Sequence, residues 1–505
     1  MAKTVAELFS GLDCSILGDA NVEVTGLAYR SDRVQPGDMF FCVVGMTVDG
    51  HTFAQDALDR GASVLVVERP PFLADSTNVT EVVVADTRKA MAHAAAAFYD
   101  HPSDSLDLVG VTGTNGKTTT TYLVEHICRE AGKKTGVIGT VGIRIGDENE
   151  PSEHTTPEAP DLQSIMARMR DAGCTVVAME VSSHALDLLR TWGLHFAVTA
   201  FTNLTQDHLD YHHTFEAYFE AKALLFGADY PSRRVIGVGD KWGCELAHRC
   251  AEAGDDVITT GFDESADIHP ISVAYGAAST RAVLSYKGTE YTFDYPLVGR
   301  FNVENVMCAF GIGLQLGIDA LTIQEALASM PSVPGRLERV TVDDTQVGAS
   351  DAAADDISLY VDYAHTPDAL TKAIASVKAL AEPSGARTIV VFGCGGNRDA
   401  GKRPIMGRAA LTADYAIVTS DNPRNEDPLA IIADIVGGME AAEGEAYEVV
   451  PDRRAAIARA IAIAQPGDLI LIAGKGHEDY QIIGDTTIHF SDREVAAEEW
   501  RRARA

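Results

Sequence analysis

The residues best suited to chemistry form a glycine-rich loop, Gly113-Thr114-Asn115-Gly116-Lys117-Thr118, followed by Thr119. In such a loop the backbone N–H groups face phosphate oxygens, and Lys117 neutralises charge on the terminal phosphates. The Thr118 hydroxyl can bind Mg²⁺. The full motif begins with one more glycine, but Val111 stands at that position. The loop predicts a chain that binds ATP with Mg²⁺.

The elements expected on both sides of the loop support this interpretation. An apolar strand is expected over residues 106–111, and a helix from about Thr118 to Ala131, where Gly132 ends it. A strand that leads into a glycine loop and then into a helix is the context in which this motif holds phosphates. We therefore expect the nucleotide at the start of this helix.

Further along the chain, four polar residues could complete such a site, although each has a plainer interpretation. Glu180 ends an expected strand over residues 175–180, where a carboxylate can reach a metal beside the loop. Alone, it is more often a helix cap or a solvated side chain. His208 and His212 have a spacing that zinc sites use, but little else favours zinc. Lys222, by composition, is an ordinary exposed helix lysine.

The pattern of strands and helices divides the chain into three regions. Residues 1–102 predict a small α/β unit with strands over 39–44 and 64–67, helices over 53–60 and 88–99, and a linker at 101–104. Residues 103–335 alternate strands and helices, with further strands over 175–180 and 197–203, a helix over 215–226 and antiparallel strands over 273–295. This alternation predicts a parallel sheet covered by helices on both faces.

Residues 336–505 predict a second, Rossmann-like sheet, doubly wound, with strands over 388–392, 415–419 and 469–473. Inside this region, the acidic stretch 343–356 is interpreted as a solvated hairpin insertion without function. The fold class is therefore α/β with three domains.

Composition excludes several classes of partner. The 505 residues are 46% apolar and 23% charged, with a formal net charge of −32. A chain with this negative charge repels nucleic acid and anionic lipid. Neither is therefore an expected partner. The 8 cysteines include no Cys-x-x-Cys pair, which favours free thiols in a reducing compartment. The first residues lack the apolar core of a signal peptide, and no apolar run could span a membrane, so a cytoplasmic protein is expected.

The glycine loop, extended to Gly-Thr-Asn-Gly-Lys-Thr-Thr, resembles the ATP loop of the Mur ligases, which add amino acids to the peptidoglycan precursor. The resemblance runs through all three regions. It implies a UDP-sugar domain, an ATPase domain and a C-terminal Rossmann-like domain, in that order.

For the nucleotide, the resemblance implies Mg²⁺ as cofactor and ATP as co-substrate. Glu180 matches a Mg²⁺ ligand, His208 a ligand of a second Mg²⁺ ion, and Lys222 the family's carbamylated lysine, an N6-carboxylysine that also ligates metal. Asn302 would lie near the base, Arg336 at the phosphates and Asp362 towards the ribose. The resemblance implies that Lys117, Glu180, His208 and Lys222 act in catalysis, and that Thr118 joins the metal ligands.

For the UDP-muramoyl-dipeptide, the resemblance implies contacts from the first two regions. The motif around Ser31 departs from the family pattern, because Arg30 and Asp32 flank it. Leu188 stands where some members have a polar contact. The matching positions are Tyr29, Ser31, Met46, Thr47, Val48, Thr155, Thr156, Ser182 and Arg190.

For the incoming amino acid, the resemblance points to the loop after the expected strand 415–419. In the family this motif recognises the amino acid, and arginine in it accompanies meso-diaminopimelate. Arg424 suits that role, because guanidinium groups bind carboxylates in bidentate fashion and lysine lacks the second carboxylate. Glu478 would take the distal ammonium group. The matching positions are Arg398, Asp421, Asn422, Pro423, Arg424, Gly474 and Glu478.

Together these matches imply a ligase of peptidoglycan precursor synthesis, and thus of cell-wall biogenesis, cell shape and division. It would join meso-diaminopimelate to UDP-N-acetylmuramoyl-L-alanyl-D-glutamate through an acyl phosphate, and it is expected to be a monomer. The alternatives are the same reaction with L-lysine or L-ornithine, a folylpolyglutamate-type ligase, and a nucleotide-gated binding protein without ligase activity.

Overall fold

The computed structural model describes residues 2–45, 48–69, 79–276, 279–341, 357–439 and 446–504. Met46, Thr47 and the acidic stretch 343–356 therefore lie outside the described residues. Within the described ranges, no helix combines the length and the apolar character needed to cross a bilayer. All eight cysteines are free thiols, as expected.

The first region folds around a five-stranded sheet of order β2-β7-β6-β5-β4, in which β4 to β7 are parallel and β2 is antiparallel. The predicted strand 64–67 is confirmed, and the predicted helices 53–60 and 88–99 are confirmed within one residue at each end. The elements are β1 (Lys3–Thr4), α1 (Val5–Leu8), β2 (Ser15–Leu17), β3 (Glu23–Val24), β4 (Gly26–Ala28), β5 (Asp38–Phe41), α2 (Ala54–Asp59), β6 (Val64–Val67), β7 (Thr80–Val83) and α3 (Thr87–Phe98).

The second region contains an eleven-stranded sheet of order β11-β10-β9-β12-β8-β13-β14-β15-β16-β17-β18. The elements up to its seventh strand are β8 (Asp107–Thr112), α4 (Lys117–Glu130), β9 (Thr135–Gly139), β10 (Gly142–Ile145), β11 (Glu148–Glu150), α5 (Ala159–Asp171), β12 (Val176–Glu180), α6 (Ser183–Asp187), β13 (Val198–Phe201), α7 (Leu209–His212), α8 (Phe215–Ala223) and β14 (Arg233–Gly237). The remaining elements are α9 (Lys241–Ala253), β15 (Val257–Thr260), β16 (Ile268–Tyr275), β17 (Thr280–Tyr286), β18 (Thr289–Tyr295), α10 (Arg300–Gln315) and α11 (Ala320–Ala328).

The predicted parallel core is confirmed in β9, β12, β8, β13, β14 and β15, and the antiparallel edge in β16 to β18. A second antiparallel edge, β10 with β11, was not predicted, because β11 is polar and half exposed. The expected linker at 101–104 contains a 3-10 turn, Pro102–Ser105. Two expected elements are shorter than predicted: the strand over 39–44 ends at Phe41, and the helix over 215–226 ends at Ala223, with a 3-10 turn up to Phe226.

The third region has a six-stranded sheet of order β19-β20-β24-β21-β22-β23, parallel apart from β19, with helices on both faces. This confirms the doubly wound prediction. The domain limits after residues 102 and 335 stay predictions. The elements are β19 (Glu338–Arg339), β20 (Ser358–Asp362), α12 (Pro367–Ala381), β21 (Thr388–Phe392), α13 (Arg403–Ala410), β22 (Tyr415–Val418), α14 (Pro428–Val436), β23 (Tyr447–Val449), α15 (Arg453–Ile463), β24 (Leu469–Ala473), β25 (Tyr480–Ile483), β26 (Thr486–His489) and α16 (Asp492–Arg504).

Candidate active site

The glycine loop joins β8 to α4 in a conformation that requires glycine. Gly113 has φ 144° and Gly116 has φ 88°, both in the region that side chains disfavour. A side chain at Gly116 would also overlap the Asn305 carboxamide. The Lys117 ammonium folds back over the loop, and donates to the carbonyls of Gly113 and Thr114 at 2.9 Å each. Burial lowers the pKa of Lys117. The loop is thus a compact turn at the N-terminus of a helix, the geometry that binds phosphates.

Glu180 lies beside this loop, because β12 and β8 are neighbouring parallel strands. Thr118 Oγ1 donates to Glu180 Oε1 at 3.0 Å, and Thr140 N donates to the same oxygen at 2.8 Å. Thr140 Oγ1 donates to Glu180 Oε2 at 3.1 Å. Thr140 was not predicted from the sequence, where its only signal is that it follows β9, the strand next to β12. The carboxylate is therefore fixed next to the hydroxyl that was predicted to bind metal.

His208 and His212 both lie against the rings of His184 and Tyr218, but their polar partners differ. His208 lines the cleft beside the loop, and its Nε2 lies 3.4 Å from Asp207 Oδ2. His212 is buried, and its Nε2 is hydrogen-bonded to Ser183 Oγ at 2.9 Å. Burial lowers the pKa of each imidazole to about 4. Nowhere in the described residues do three His, Cys, Asp or Glu side chains form a group that could hold a metal, so the zinc interpretation gains no support.

The surroundings of Lys222 differ from those that its sequence pattern predicts. The expectation of an exposed helix lysine was wrong, because only 1% of Lys222 is exposed. Its Nζ donates to the Gly113 carbonyl at 2.9 Å, and lies 4.6 Å from the centre of the Tyr218 ring. Burial, reinforced by the Lys117 charge, holds its pKa well below the usual value. Lys222 therefore presents a buried amine directly behind the phosphate loop.

The third region reaches the loop through Arg336. Its Nη2 donates to Thr118 Oγ1 at 2.8 Å, and its guanidinium lies 4.8 Å from the centre of the Tyr363 ring. Asp362 is close by, and its two carboxylate oxygens accept from Leu337 N at 2.6 Å and from Ala364 N at 2.8 Å. Burial raises the pKa of Asp362. The elements of the second and third regions thus meet at the glycine loop.

The space between them is a cleft of about 260 Å³. Asn302, predicted near the base, is buried outside its lining. Its Nδ2 donates to Val298 O at 2.8 Å, and its Oδ1 accepts from Asn305 Nδ2 at 3.1 Å. Asn302 therefore supports Asn305, which does line the cleft. The predicted residues that line it are Thr114, Asn115, Gly116, Lys117, Thr118, Thr119, Thr155, Glu180, Ser182, His208, Arg336 and Asp362.

The residues predicted for the UDP-muramoyl-dipeptide extend from this cleft towards the first region. Thr156 Oγ1 donates to Glu180 O at 2.9 Å, and Arg190 Nη1 donates to Thr156 O at 2.9 Å. Tyr29 OH donates to Asp161 at 2.5 Å, which bridges the first two regions. Ser31 begins a 3-10 turn, and Val48 is 52% exposed.

The predicted amino-acid pocket lies at the carboxyl ends of β22 and β24. Arg424 has φ 51°, and its Nη1 donates to Gly396 O at 2.8 Å. Asn422 Nδ2 donates to Glu478 Oε2 at 3.0 Å. Gly474 leaves room for Asp421, because a side chain at Gly474 would contact that carboxylate.

Two further residues bear on this pocket. Arg398 is exposed, and its guanidinium forms no hydrogen bond with any described residue. Lys475 was not predicted as a site residue; it is a fully buried lysine whose Nζ donates to Glu478 Oε2 at 3.0 Å. Its position inside the Gly474–Glu478 segment was the available signal.

Known proteins resemble this chain over nearly all of its length. Family models described as "Mur ligase family, catalytic domain", "Mur ligase middle domain" and "Mur ligase, glutamate ligase domain" match residues 23–99, 111–313 and 336–476. A relative from Geobacillus thermodenitrificans, named UDP-N-acetylmuramoyl-L-alanyl-D-glutamate--2,6-diaminopimelate ligase, is 47% identical over 484 residues, which are 94% of each chain.

Solved structures of ligases are also similar to this chain over nearly its full length. A structure of a UDP-N-acetylmuramoyl-L-alanyl-D-glutamate--2,6-diaminopimelate ligase is 31% identical, covers 100% of both chains and has a TM-score of 0.71. A MurF ligase from Thermotoga maritima in complex with ADP is 18% identical, covers 95% of this chain and 98% of its own, and has a TM-score of 0.62. The second likeness shows the fold alone.

Proposed function

This chain belongs to the Mur ligase family, and we propose that it is the ATP-dependent ligase that joins meso-diaminopimelate to UDP-N-acetylmuramoyl-L-alanyl-D-glutamate. The observation that carries this proposal is the pairing of two sites. A phosphate loop with Glu180 and Arg336 lies at one cleft, and a pocket with Arg424 and Glu478 lies at the carboxyl edge of the third sheet. The first suits ATP, and the second suits a substrate that carries both carboxylate and ammonium groups.

The proposed reaction forms an amide through an acyl phosphate. The γ-carboxylate of the D-glutamyl residue attacks the γ-phosphate of ATP, and ADP leaves. The amine of diaminopimelate then attacks the acyl carbon, the amine loses a proton, and inorganic phosphate leaves as the amide forms. In this proposal Lys117 and Arg336 neutralise phosphate charge, while Thr155, Ser182 and the loop backbone orient the reactants. No side chain acts as a nucleophile.

Mg²⁺ fits the residues beside the loop, because hard cations prefer oxygen ligands and Thr118 Oγ1 lies 3.0 Å from Glu180 Oε1. When bound, the ion would shield the phosphate charge that opposes attack by a carboxylate. We propose Thr118, Glu180 and the carbamate of Lys222 as metal ligands, and His208 as a ligand of a second Mg²⁺ ion. The low pKa of His208 favours the neutral imidazole that metals bind.

Carbamylation of Lys222 fits its surroundings. Only a neutral amine adds to CO₂, and burial favours the neutral form of this lysine. The resulting N6-carboxylysine would replace a buried neutral amine by an anion that could ligate the metal.

Phosphate release tests the proposal. Purified protein with ATP, Mg²⁺ and UDP-N-acetylmuramoyl-L-alanyl-D-glutamate is expected to release phosphate when meso-diaminopimelate is added, with a lower kcat/KM for L-lysine and L-ornithine. A higher kcat/KM for lysine would instead support the lysine-adding alternative. No release with any of the three amines would support a nucleotide-gated binding protein. Release that depends on a folate and glutamate would support the folylpolyglutamate-type alternative.

The remaining expectations are part of the same proposal. We propose a cytoplasmic monomer with domains over residues 1–102, 103–335 and 336–505. The Asp362 contact to the nucleotide, the support that Asn302 gives the nucleotide site through Asn305, and the contacts of Tyr29, Ser31 and Val48 to the UDP moiety are proposed with it.

A further inference from the structure

The amino-acid pocket contains a buried lysine for which the proposed reaction has no use. Lys475 has no exposed surface, and its Nζ lies 3.0 Å from Glu478 Oε2 and 3.4 Å from Asn422 Oδ1. The Tyr480 ring centre is 5.2 Å from the same ammonium. A buried cation is costly unless it is paired and hydrogen-bonded. The pocket therefore holds this charge in one defined place.

The two oxygens of Glu478 have different surroundings. Oε2 accepts from both Lys475 Nζ and Asn422 Nδ2, each at 3.0 Å. Asn422 is itself fixed, because its Oδ1 accepts from Ile482 N at 3.0 Å. Across the parts of the chain that the structure describes, no donor reaches Glu478 Oε1. One oxygen of the carboxylate is therefore held by the protein, and the other is left for a ligand.

We propose that Lys475 is a positioning residue for the amine substrate: it keeps Glu478 charged and oriented, so that Oε1 accepts the distal ammonium group. This inference rests on the proposed function, which makes the pocket an amino-acid site. Lys475 acts through Glu478 and does not itself contact the substrate. Its role is to keep Glu478 ionised, because burial alone would favour the protonated carboxyl group.

The charges around Glu478 explain why this lysine matters. Burial raises the pKa of Glu478, the Lys475 charge lowers it, and the Asp421 charge raises it again. Arg453 also faces the pocket, but Asp492 pairs with it at 2.6 Å. Burial raises the pKa of the nearby Tyr363 to about 12 and that of Tyr480 as well, so both stay neutral near neutral pH. Lys475 is therefore the main group that favours the carboxylate form.

The pH dependence of kcat/KM for meso-diaminopimelate tests the role. The variants are Lys475→Met and Lys475→Gln, which remove the charge while keeping a side chain of similar length. The acid limb is expected to move to higher pH by about one pH unit or more, with recovery in alkaline buffer. The KM for ATP is expected to stay within about twofold, because the phosphate loop is separate from this pocket.

A double-mutant cycle separates this role from a structural one. Lys475→Met combined with Glu478→Gln is expected to be no slower than Glu478→Gln alone, because Lys475 acts through that carboxylate. Lys378→Met is the matched control, since it removes a lysine charge from the same region at a side chain that contacts Thr412 O and Asp414. Its acid limb should coincide with that of the unaltered protein.

An acid limb that stays in place in both Lys475 variants would overturn the proposal. A loss of equal size at every pH would overturn it too, because that indicates a contact independent of Glu478 ionisation. Failure of the proposed function is a separate result: the unaltered protein would release no phosphate with meso-diaminopimelate. In that case carboxyl-¹³C NMR still tests the pair, with the Glu478 signal identified by its loss in Glu478→Gln. Its titration should move to higher pH in Lys475→Met, and an unchanged titration would refute the pairing.

Discussion

Arg424 is the residue on which amine selection is proposed to depend. One of its N–H groups is held by Gly396 O at 2.8 Å, and the side chain is half-buried. In Arg424→Ala, kcat/KM for meso-diaminopimelate is expected to fall roughly 10- to 100-fold, since a hydrogen bond to a charged group contributes about 1.5–3 kcal/mol. The KM for ATP should change by less than about twofold, because Arg424 is not part of the phosphate loop. Steady-state phosphate release with each substrate varied in turn measures both.

Arg408→Ala is the control for this change, because Arg408 is an exposed guanidinium on α13 of the same region. It should leave both constants close to those of the unaltered protein. Equal losses for the amine and for ATP in Arg424→Ala would contradict the proposed role.

The second prediction for a single residue concerns the carbamylation of Lys222. Because its amine is buried and its pKa is low, the form that reacts with CO₂ is present at neutral pH. Lowering the pH protonates the amine and removes that form. We expect kcat to fall at least about tenfold in CO₂-depleted buffer and to return with bicarbonate, since loss of even a residue that orients a metal ligand typically costs about 10- to 100-fold. Lys222→Ala should be slow in both buffers.

Lys133→Ala serves as the comparison, because Lys133 is a partly exposed lysine of the second region that pairs with Asp107 at 3.3 Å. It should respond to bicarbonate as the unaltered protein does. Full activity of the unaltered protein without CO₂ would argue against a carbamate.

At the scale of single elements, the close packing of Gly335 against the segment at Gly476 and His477 leaves no room for a side chain at position 335. Gly335 has φ 64°, and a side chain there would overlap the backbone of Gly476 and His477. Gly335→Ala must therefore separate two backbones as well as adopt a strained φ. We expect a loss of stability clearly above the approximately 1 kcal/mol of strain alone, and at least a tenfold loss of kcat/KM for the amine, because the shifted segment carries Glu478. Thermal unfolding and phosphate release measure the two effects.

Gly132→Ala provides a matched comparison, because Gly132 also has positive φ, 77°, but nothing lies within 4 Å of the added carbon. It should lose only about 1 kcal/mol and keep its activity. If the two variants behaved alike, close packing at Gly335 would not be the reason for its glycine.

The elements also explain how much was predictable from the sequence. Buried parallel strands such as β6, β21 and β24 are continuous apolar runs, so their bounds could be predicted to the residue. The carboxyl ends of neighbouring parallel strands lie at the same edge of a sheet. The position of Glu180 at the end of its strand therefore also predicted that it would lie beside the glycine loop. The strand β11 was missed, since Glu148–Glu150 has no apolar pattern. The burial of Lys222 and Lys475 depends on packing against distant segments, which spacing along one helix or loop cannot reveal.

At the scale of the whole molecule, the strongly negative net charge opposes the binding of anionic substrates. Binding therefore depends on local groups of positive side chains. The chain carries a net charge of −32, yet Lys117, Lys222 and Arg336 converge on the glycine loop. In the proposed reaction the two anionic substrates, ATP and the UDP-muramoyl-dipeptide, depend on such local positive charge. Lys117 and Arg336 supply it, and these two residues come from different regions. Catalysis should accordingly depend on how firmly the third region is held against the second.

Asp368 tests that dependence, because it lies on α12 of the third region and contacts the second. Its Oδ2 accepts from Asn115 Nδ2 and Thr205 Oγ1, each at 3.0 Å. In Asp368→Ala these bonds are lost, and closure over ATP becomes less favourable by about 1–2 kcal/mol, which corresponds to a kcat lower by roughly 5- to 30-fold. Small-angle scattering should show a larger radius of gyration, because the two regions separate more often. Lys378 lies on the same helix and contacts Thr412 O and Asp414 of its own region, so Lys378→Ala should change neither quantity. An unchanged kcat with unchanged scattering in Asp368→Ala would mean that Arg336 holds the regions together without this carboxylate, and the closed arrangement would then depend on the nucleotide.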